Sequence, residues 1–305
     1  MPYQMKPLSC DPTRLHGLSE RMIVSHYENN YGGAVKRLNT IAEQLASLDF
    51  SNAPNFVING LKREELIASN SMILHELYFE NLGESGEGPS GNLREALIKD
   101  FGSVERWQIE FSSMGKALAG GSGWVLLCYV PRDGQLVNQW AADHTHLLAG
   151  SMPLLALDMY EHSYHIDYGA KAATYVEAFM QNIRWSRVAV WHAQACGISS
   201  ARSRTLSSSA FQEASKRGEQ LVILDVRRPQ DRAQDPQGIP HSIWYHPDEV
   251  HEWSKQLSKD KAIVMYCARG GSVSNGLVDI LQTKGFNARF IEGGLAAWRN
   301  CSQNT

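Results

Sequence analysis

Apolar residues in the first two thirds of the chain recur every three or four positions, the period of one helix face. The pattern predicts a long helix over residues 18–47, with the Gly32 and Gly33 pair as its weak point. A second helix is predicted over 61–82, stopped by Gly83 and the turn-forming stretch GESGEGPSGN. Residues 93–115 carry a third helical period. After AGGSG the period drops to that of strands. WVLLCYV and LVNQWAA flank PRDGQ, an Asp-Gly hairpin signal. LLALDMY reads as a further strand, and 172–191 is helical again. Beyond residue 218 the pattern changes. LVILDVR and AIVMYCA are short, continuous, β-branched runs that alternate with helical segments. This is the pattern of a parallel sheet covered on both faces.

Between these regimes lies AQACGISSARSRTLSSSAFQEASKRG, residues 193–218, where serines and arginines cluster and large apolar residues thin out. A boundary near 198–202 follows. The first domain covers 1–197, with a helical hairpin over 1–90 and an α/β part over 91–197. The second covers 198–305. A length of 305 residues suits such a division. The net charge of −3 gives no electrostatic reason to expect a nucleic-acid or membrane partner. Five scattered cysteines argue against a disulfide framework and for a reducing, cytoplasmic setting. The N-terminal MPYQMKPLSCDPT lacks the apolar run of a secretory signal.

Two places carry candidate chemistry. The first is LLALDMYEHSYHIDY, residues 154–168, where an apolar run takes on Asp158, His162 and His165. Read locally, it is either a wet amphipathic edge or part of a metal site. His26 and His75, each inside a predicted helix, could join Asp158 and His162. Three imidazoles and one carboxylate suit a first-row metal with one position left open. Spacing alone does not choose this set, and a zinc hydrolase or an iron oxygenase would use similar donors.

The segments SHYENNYGGAVKRLN, HELYFENL, GSGWVLL and DMYEHSYHIDY, in that order within residues 5–192, resemble iron/manganese superoxide dismutases. The resemblance implies a helical hairpin followed by an α/β metal domain. It also implies one iron or manganese ion per chain, held by His26, His75, Asp158 and His162. The implied activity is disproportionation of superoxide. His144 falls where manganese-type members place a glutamine that bonds the metal-bound solvent. Trp124, in the GSGWVLL signature, belongs to the surroundings of the site. Glu161 matches a glutamate that crosses a homodimer interface. Departures are also present. The family's tyrosine in the first helix falls at Ala34, its gateway histidine at Asn30, and that histidine's tyrosine partner at His165. Tyr160 and Phe79 each replace a tryptophan. Tyr31 is a candidate substitute for the lost phenol. A remodelled, non-catalytic dimerisation domain is the alternative reading.

The second place is IVMYCARGGSVSNGL. It sets Cys267 directly after a predicted buried strand and before a Gly-rich turn into a helix. Successive backbone N–H groups of Ala268, Arg269, Gly270, Gly271 and Ser272 could curl around an anion or a terminal sulfur. A thiol there is expected to be nucleophilic. LVILDVRRPQD, GIPHSI, CARGGS and IEGGLAAW, over 203–300, resemble a single-domain rhodanese, an α/β parallel-sheet sulfurtransferase. The resemblance implies a persulfide on Cys267, a sulfane-sulfur donor such as thiosulfate, and a thiol or cyanide acceptor. Arg269 would steady an anionic donor, and Asp225 with Arg227 would tie down the base of the loop. Such pairs of domains also resemble those associated with chromate stress. Cys10, Cys128, Cys196 and Cys301 lack such a loop and read as incidental.

Overall fold

The computed structural model describes residues 2–83, 88–197, 204–217 and 219–303. It divides into two compact units, one built on Pro12–Cys196 and one on Gly197–Thr305. The expected boundary at 198–202, and the middle of the turn after Gly83, lie outside the described residues. No helix among the described residues is long and apolar enough to cross a membrane.

The first unit opens with α1 (Glu20–Ser25), a π-helical segment (His26–Tyr31) and α2 (Gly32–Ser47). Helix α3 (Asn55–Asn81) packs against them. The Gly32–Gly33 weak point is therefore not a break. The departure lies just before it, where the Gly32 N–H reaches back five residues to the Tyr27 carbonyl. Buried positions record the inserted residue. Steps of three and four join Met22, Ile23 and His26, and again Tyr31, Ala34, Val35 and Leu38, but His26 to Tyr31 is a step of five.

The predicted helix over 93–115 is two helices, α4 (Gly91–Phe101) and α5 (Val104–Ala117). Gly102 separates them at φ +88, a conformation that glycine adopts without penalty. Ser103 then caps α5 by accepting from the Arg106 N–H. Strands β1 (Trp124–Val130), β2 (Gln135–Ala141) and β3 (Met152–Asp158) form an antiparallel sheet in the order β2-β1-β3. The Asp-Gly turn is present, with the Gly134 N–H on the Val130 carbonyl at 2.9 Å. Helices α6 (His165–Tyr168), α7 (Ala172–Gln181) and α8 (Trp185–Ala195) complete the unit. The predicted single helix over 172–191 is interrupted because Ile183 bridges to Leu82 and the Arg184 N–H donates to the Asn81 carbonyl. Tertiary pairing here replaces helical bonds.

The second unit holds β4 (Thr205–Leu206), α9 (Ser208–Lys216), β5 (Leu221–Asp225), α10 (Pro229–Gln234), β6 (Ile243–Trp244) and α11 (Val250–Trp253). Then come β7 (Ala262–Tyr266), α12 (Ser272–Thr283), β8 (Asn287–Ile291) and α13 (Gly294–Gln303). Its five strands are all parallel, in the order β4-β8-β7-β5-β6. The central strands β5 and β7 carry apolar residues into cores on both faces, which is why their sequences do not alternate.

Candidate functional site

Three segments far apart in sequence converge in the first unit. His26 comes from the start of the π segment, His75 from α3, Asp158 from the end of β3 and His162 from the turn that follows. Asp158 Oδ2 lies 3.2 Å from His26 Nε2, 3.6 Å from His75 Nε2 and 3.2 Å from His162 Nε2. The four donor atoms lie within 4.8 Å of one another. The His26 and Asp158 side chains are 0% exposed, and that of His162 is 27% exposed, so the cluster opens to solvent on the His162 side.

Two ties bring these elements into register. The buried Asn81 side chain, at the end of α3, donates to the Leu154 carbonyl and accepts from the Ala156 N–H. Both groups belong to β3, an edge strand, so one amide docks the helix carrying His75 to the strand carrying Asp158. Ser19 caps α1 by accepting from the Met22 N–H, and it donates to Asp167 through both its hydroxyl and its N–H. That pair joins the helix before His26 to the segment after His162. Neither tie was legible in the sequence, where Asn81 and Asp167 are unremarkable polar residues.

The cluster fits a cation. Both His26 ring nitrogens and His75 Nε2 are buried without a hydrogen bond, an arrangement that calls for an explanation in a folded protein. His75 Nδ1 donates to the Ser71 carbonyl at 2.6 Å, which leaves Nε2 as the lone-pair donor facing Asp158. Burial pushes the Asp158 carboxyl up. The His162 and His26 imidazoles outweigh that effect and hold it well below the usual carboxylate range. Burial, with His26 nearby, pushes His75 down to about 3 despite the opposing pull of Asp158. Burial also lowers His26. Neutral imidazoles beside an ionised carboxylate are the forms that bind metal.

Around this cluster, His144 Nδ1 accepts from the Trp124 indole N–H at 3.0 Å. The His144 ring stacks on Tyr160 at 5.0 Å, and Tyr160 stacks on His162 at 5.4 Å. Asn70 of α3 donates to the His144 carbonyl. Phe79 packs against His26, with ring centroids 5.0 Å apart. Tyr31 is buried, but its hydroxyl accepts from the Lys6 N–H and donates to Glu76 Oε1 at 3.0 Å. Its proton is thus committed to that carboxylate, not to the space that Ala34 leaves. Glu161 and His165 are exposed in the single chain.

In the second unit Cys267 follows β7 directly and is buried, its sulfur 3.2 Å from Ser274 Oγ. Ser274 escaped the sequence reading because nothing but its burial distinguishes it from an ordinary helix serine. The loop of Cys267, Ala268, Arg269, Gly270 and Gly271 rests on the start of α13. There Leu295 and Ala296 N–H groups donate to the Cys267 and Ala268 carbonyls at 2.9 and 3.2 Å. Gly294 sits at φ +60, and a Cβ on it would meet the Cys267 carbonyl oxygen at 2.3 Å. The first N–H groups of α12, from Ser272 onward, precede its hydrogen-bonded ladder and are oriented as anion donors. Arg227 Nε and Nη2 donate to Asp225 Oδ1 and Oδ2 at 2.9 and 2.7 Å, fully buried below the loop. Arg269 is exposed.

Residues 89–190 match the family described as iron/manganese superoxide dismutases, C-terminal domain, and residues 207–301 match the rhodanese-like domain. The superoxide dismutase [Fe] of Cupriavidus metallidurans is 69% identical over 195 residues, covering 64% of this chain and 98% of the relative. A superoxide dismutase [Mn] of Haloferax volcanii is 34% identical over 202 residues, covering 64% of this chain and 98% of that one. The superoxide dismutase [Fe] of Aquifex aeolicus is 35% identical over 184 residues, covering 58% and 85%. Iron-named and manganese-named relatives thus both match well over half of the chain, and the stretch matching the dismutase C-terminal domain contains Asp158 and His162 and precedes the rhodanese-like domain. The chain belongs to the iron/manganese superoxide dismutase family.

Proposed function

We propose that the first unit disproportionates superoxide, turning two superoxide anions and two protons into dioxygen and hydrogen peroxide. His26, His75, Asp158 and His162 would hold the iron or manganese ion. Bound there, that ion would supply one-electron oxidation and reduction of superoxide in turn. The observation that carries this reading is the convergence of four donors with orphaned, buried imidazole nitrogens. The partly open His162 side gives a small anion access. Because Trp124 occupies His144 Nδ1, a neutral His144 keeps its proton on Nε2 and can donate from there. Tyr160, whose hydroxyl is pushed up to about 12 by burial and by Asp158, stays protonated and offers a second proton-bearing group. The Tyr31 phenol is taken by Glu76, so proton delivery falls to His144 and Tyr160. Elemental analysis of protein purified without added metal, followed by a superoxide assay on the same sample, tests the proposal. Loaded protein with no activity above free metal would refute it and favour a remodelled domain.

The second unit is proposed to transfer sulfane sulfur. The Cys267 thiolate would attack the outer sulfur of thiosulfate, displace sulfite and carry the sulfur as a persulfide to cyanide or a thiol. Its placement before α12, with Ser274 at the sulfur, supports this. Exposed Arg269 is free to steady the anionic donor. A 32 Da gain on the Cys267 peptide after thiosulfate, about the mass of one sulfur, together with thiocyanate formation, tests it. The exposed Glu161 is proposed to reach a partner's ligand histidine in a homodimer. Defence against superoxide in the cytoplasm is part of the same proposal.

A further inference from the structure

A cysteine with an imidazole beside it lies in the first unit, away from both sites above in sequence and in partners. Cys196 caps the C-terminus of α8, and its sulfur lies 3.3 Å from Nε2 of His192, one turn earlier. Tyr129, on strand β1, brings its hydroxyl near the same sulfur, and burial together with that thiol pushes the hydroxyl above its ordinary range. The Tyr129 and His192 rings meet edge to face at 6.0 Å. Side chains from two separate elements thus converge on one thiol. His192 is buried, whereas Cys196 is only half-buried. The base is held in a fixed position and the sulfur remains within reach of a small molecule.

We propose that Cys196 is a peroxide-reactive thiol, with His192 as its base and Tyr129 as a donor to the sulfur. The sequence reading of this cysteine as incidental is revised accordingly. The chemistry balances without another reagent. The sulfur attacks one oxygen of hydrogen peroxide, an S–O bond forms and the O–O bond breaks. The sulfur loses two electrons and becomes a sulfenic acid. The thiol proton passes through His192 Nε2 to the departing hydroxide, which leaves as water. Burial lowers the affinity of His192 for a proton, so at neutral pH the ring is free to accept one. Hydrogen peroxide is also the product of the dismutation proposed above, but the inference does not depend on that reaction, since peroxide can be supplied from outside.

Cys301 supplies a control within the same molecule. It is also half-buried, but its sulfur meets the Gln212 amide oxygen rather than an imidazole. The experiment treats the full chain with low millimolar hydrogen peroxide in the presence of a dimedone-type sulfenic acid trap. Each cysteine peptide is then followed by mass spectrometry. Cys196 is expected to label about tenfold faster than Cys301, and His192→Asn to lower the Cys196 rate to that of Cys301. Tyr129→Phe, which keeps the ring packing, is expected to slow labelling several-fold. Equal rates at Cys196 and Cys301 in the unaltered chain would overturn the proposal without recourse to any variant. So would an unchanged Cys196 rate in folded His192→Asn protein. Loss of dismutation together with fast Cys196 labelling would refute the metal-site reading alone.

Discussion

Trp124 donates its indole N–H to His144 Nδ1 over 3.0 Å, and this bond decides which face of the imidazole carries the proton. The ring stacked on the other side of His144 is Tyr160, itself stacked on His162. One strand residue therefore sets the tautomer of the imidazole at the far end of an aromatic column that runs to a proposed ligand. Trp124→Phe keeps the apolar packing and frees His144 to take either tautomer. Superoxide turnover per bound metal is expected to fall about tenfold while metal content stays near that of the unaltered protein. Unchanged turnover would remove His144 from the mechanism.

Asn81 is expected to matter for stability out of proportion to its size. Asn81→Ala would leave the Leu154 carbonyl and the Ala156 N–H of β3 unpaired in a buried setting. The cost is about 2 kcal/mol, to be read as a lowered midpoint in thermal unfolding. Because the same amide docks α3 to β3, metal retention on dialysis against chelator should weaken with it.

His26 tests the cluster itself. His26→Ala should bring bound iron plus manganese close to zero by elemental analysis. Chelator should lower the melting temperature of the unaltered protein, since an ion bound to the folded state alone stabilises that state. The variant should already melt at the lower temperature and show no response to chelator.

Gly294 lies at φ +60 against the Cys267 carbonyl. In Gly294→Ala the added methyl collides with backbone that has no room to move, and the left-handed conformation costs a further ~1 kcal/mol. Thiocyanate formation from thiosulfate and cyanide should be lost, with superoxide turnover unaffected. Retained sulfur transfer would mean the loop is not the working part.

Buried His192 is held below its ordinary range by desolvation, with Asp100 opposing. An unfolded chain takes up a proton on this ring below pH ~6.5, where the folded one does not. By linkage the stability it permits is complete above that pH and declines as pH falls below it. His192→Gln should therefore flatten the fall in melting temperature between about pH 6.5 and 5, a window in which the unaltered protein loses stability more steeply.

Much of this protein was legible in the order of its residues. Periods of three and four gave helices, continuous β-branched runs gave the parallel strands β5 and β7, and the Asp133-Gly134 turn appeared where expected. The Cys267 loop was readable because strand, small residues and helix are contiguous, so local backbone rules suffice to build it. The five-residue step from His26 to Tyr31 was also present in the apolar pattern. It signals the π segment once the buried face is known.

Tertiary structure decided what the pattern could not reach. Whether residues 172–191 formed one helix or two depended on the pairing of Ile183 with Leu82, which are far apart in sequence. Imidazoles on two helices and a carboxylate on a strand are ordinary polar residues until Asn81 and the Ser19 to Asp167 tie bring them within 4.8 Å. Cys196 acquires its base from its own helix but its second donor from β1. Local propensity acts over a few residues. A site is a meeting of distant segments, and the packing that closes the distance is a property of the whole fold.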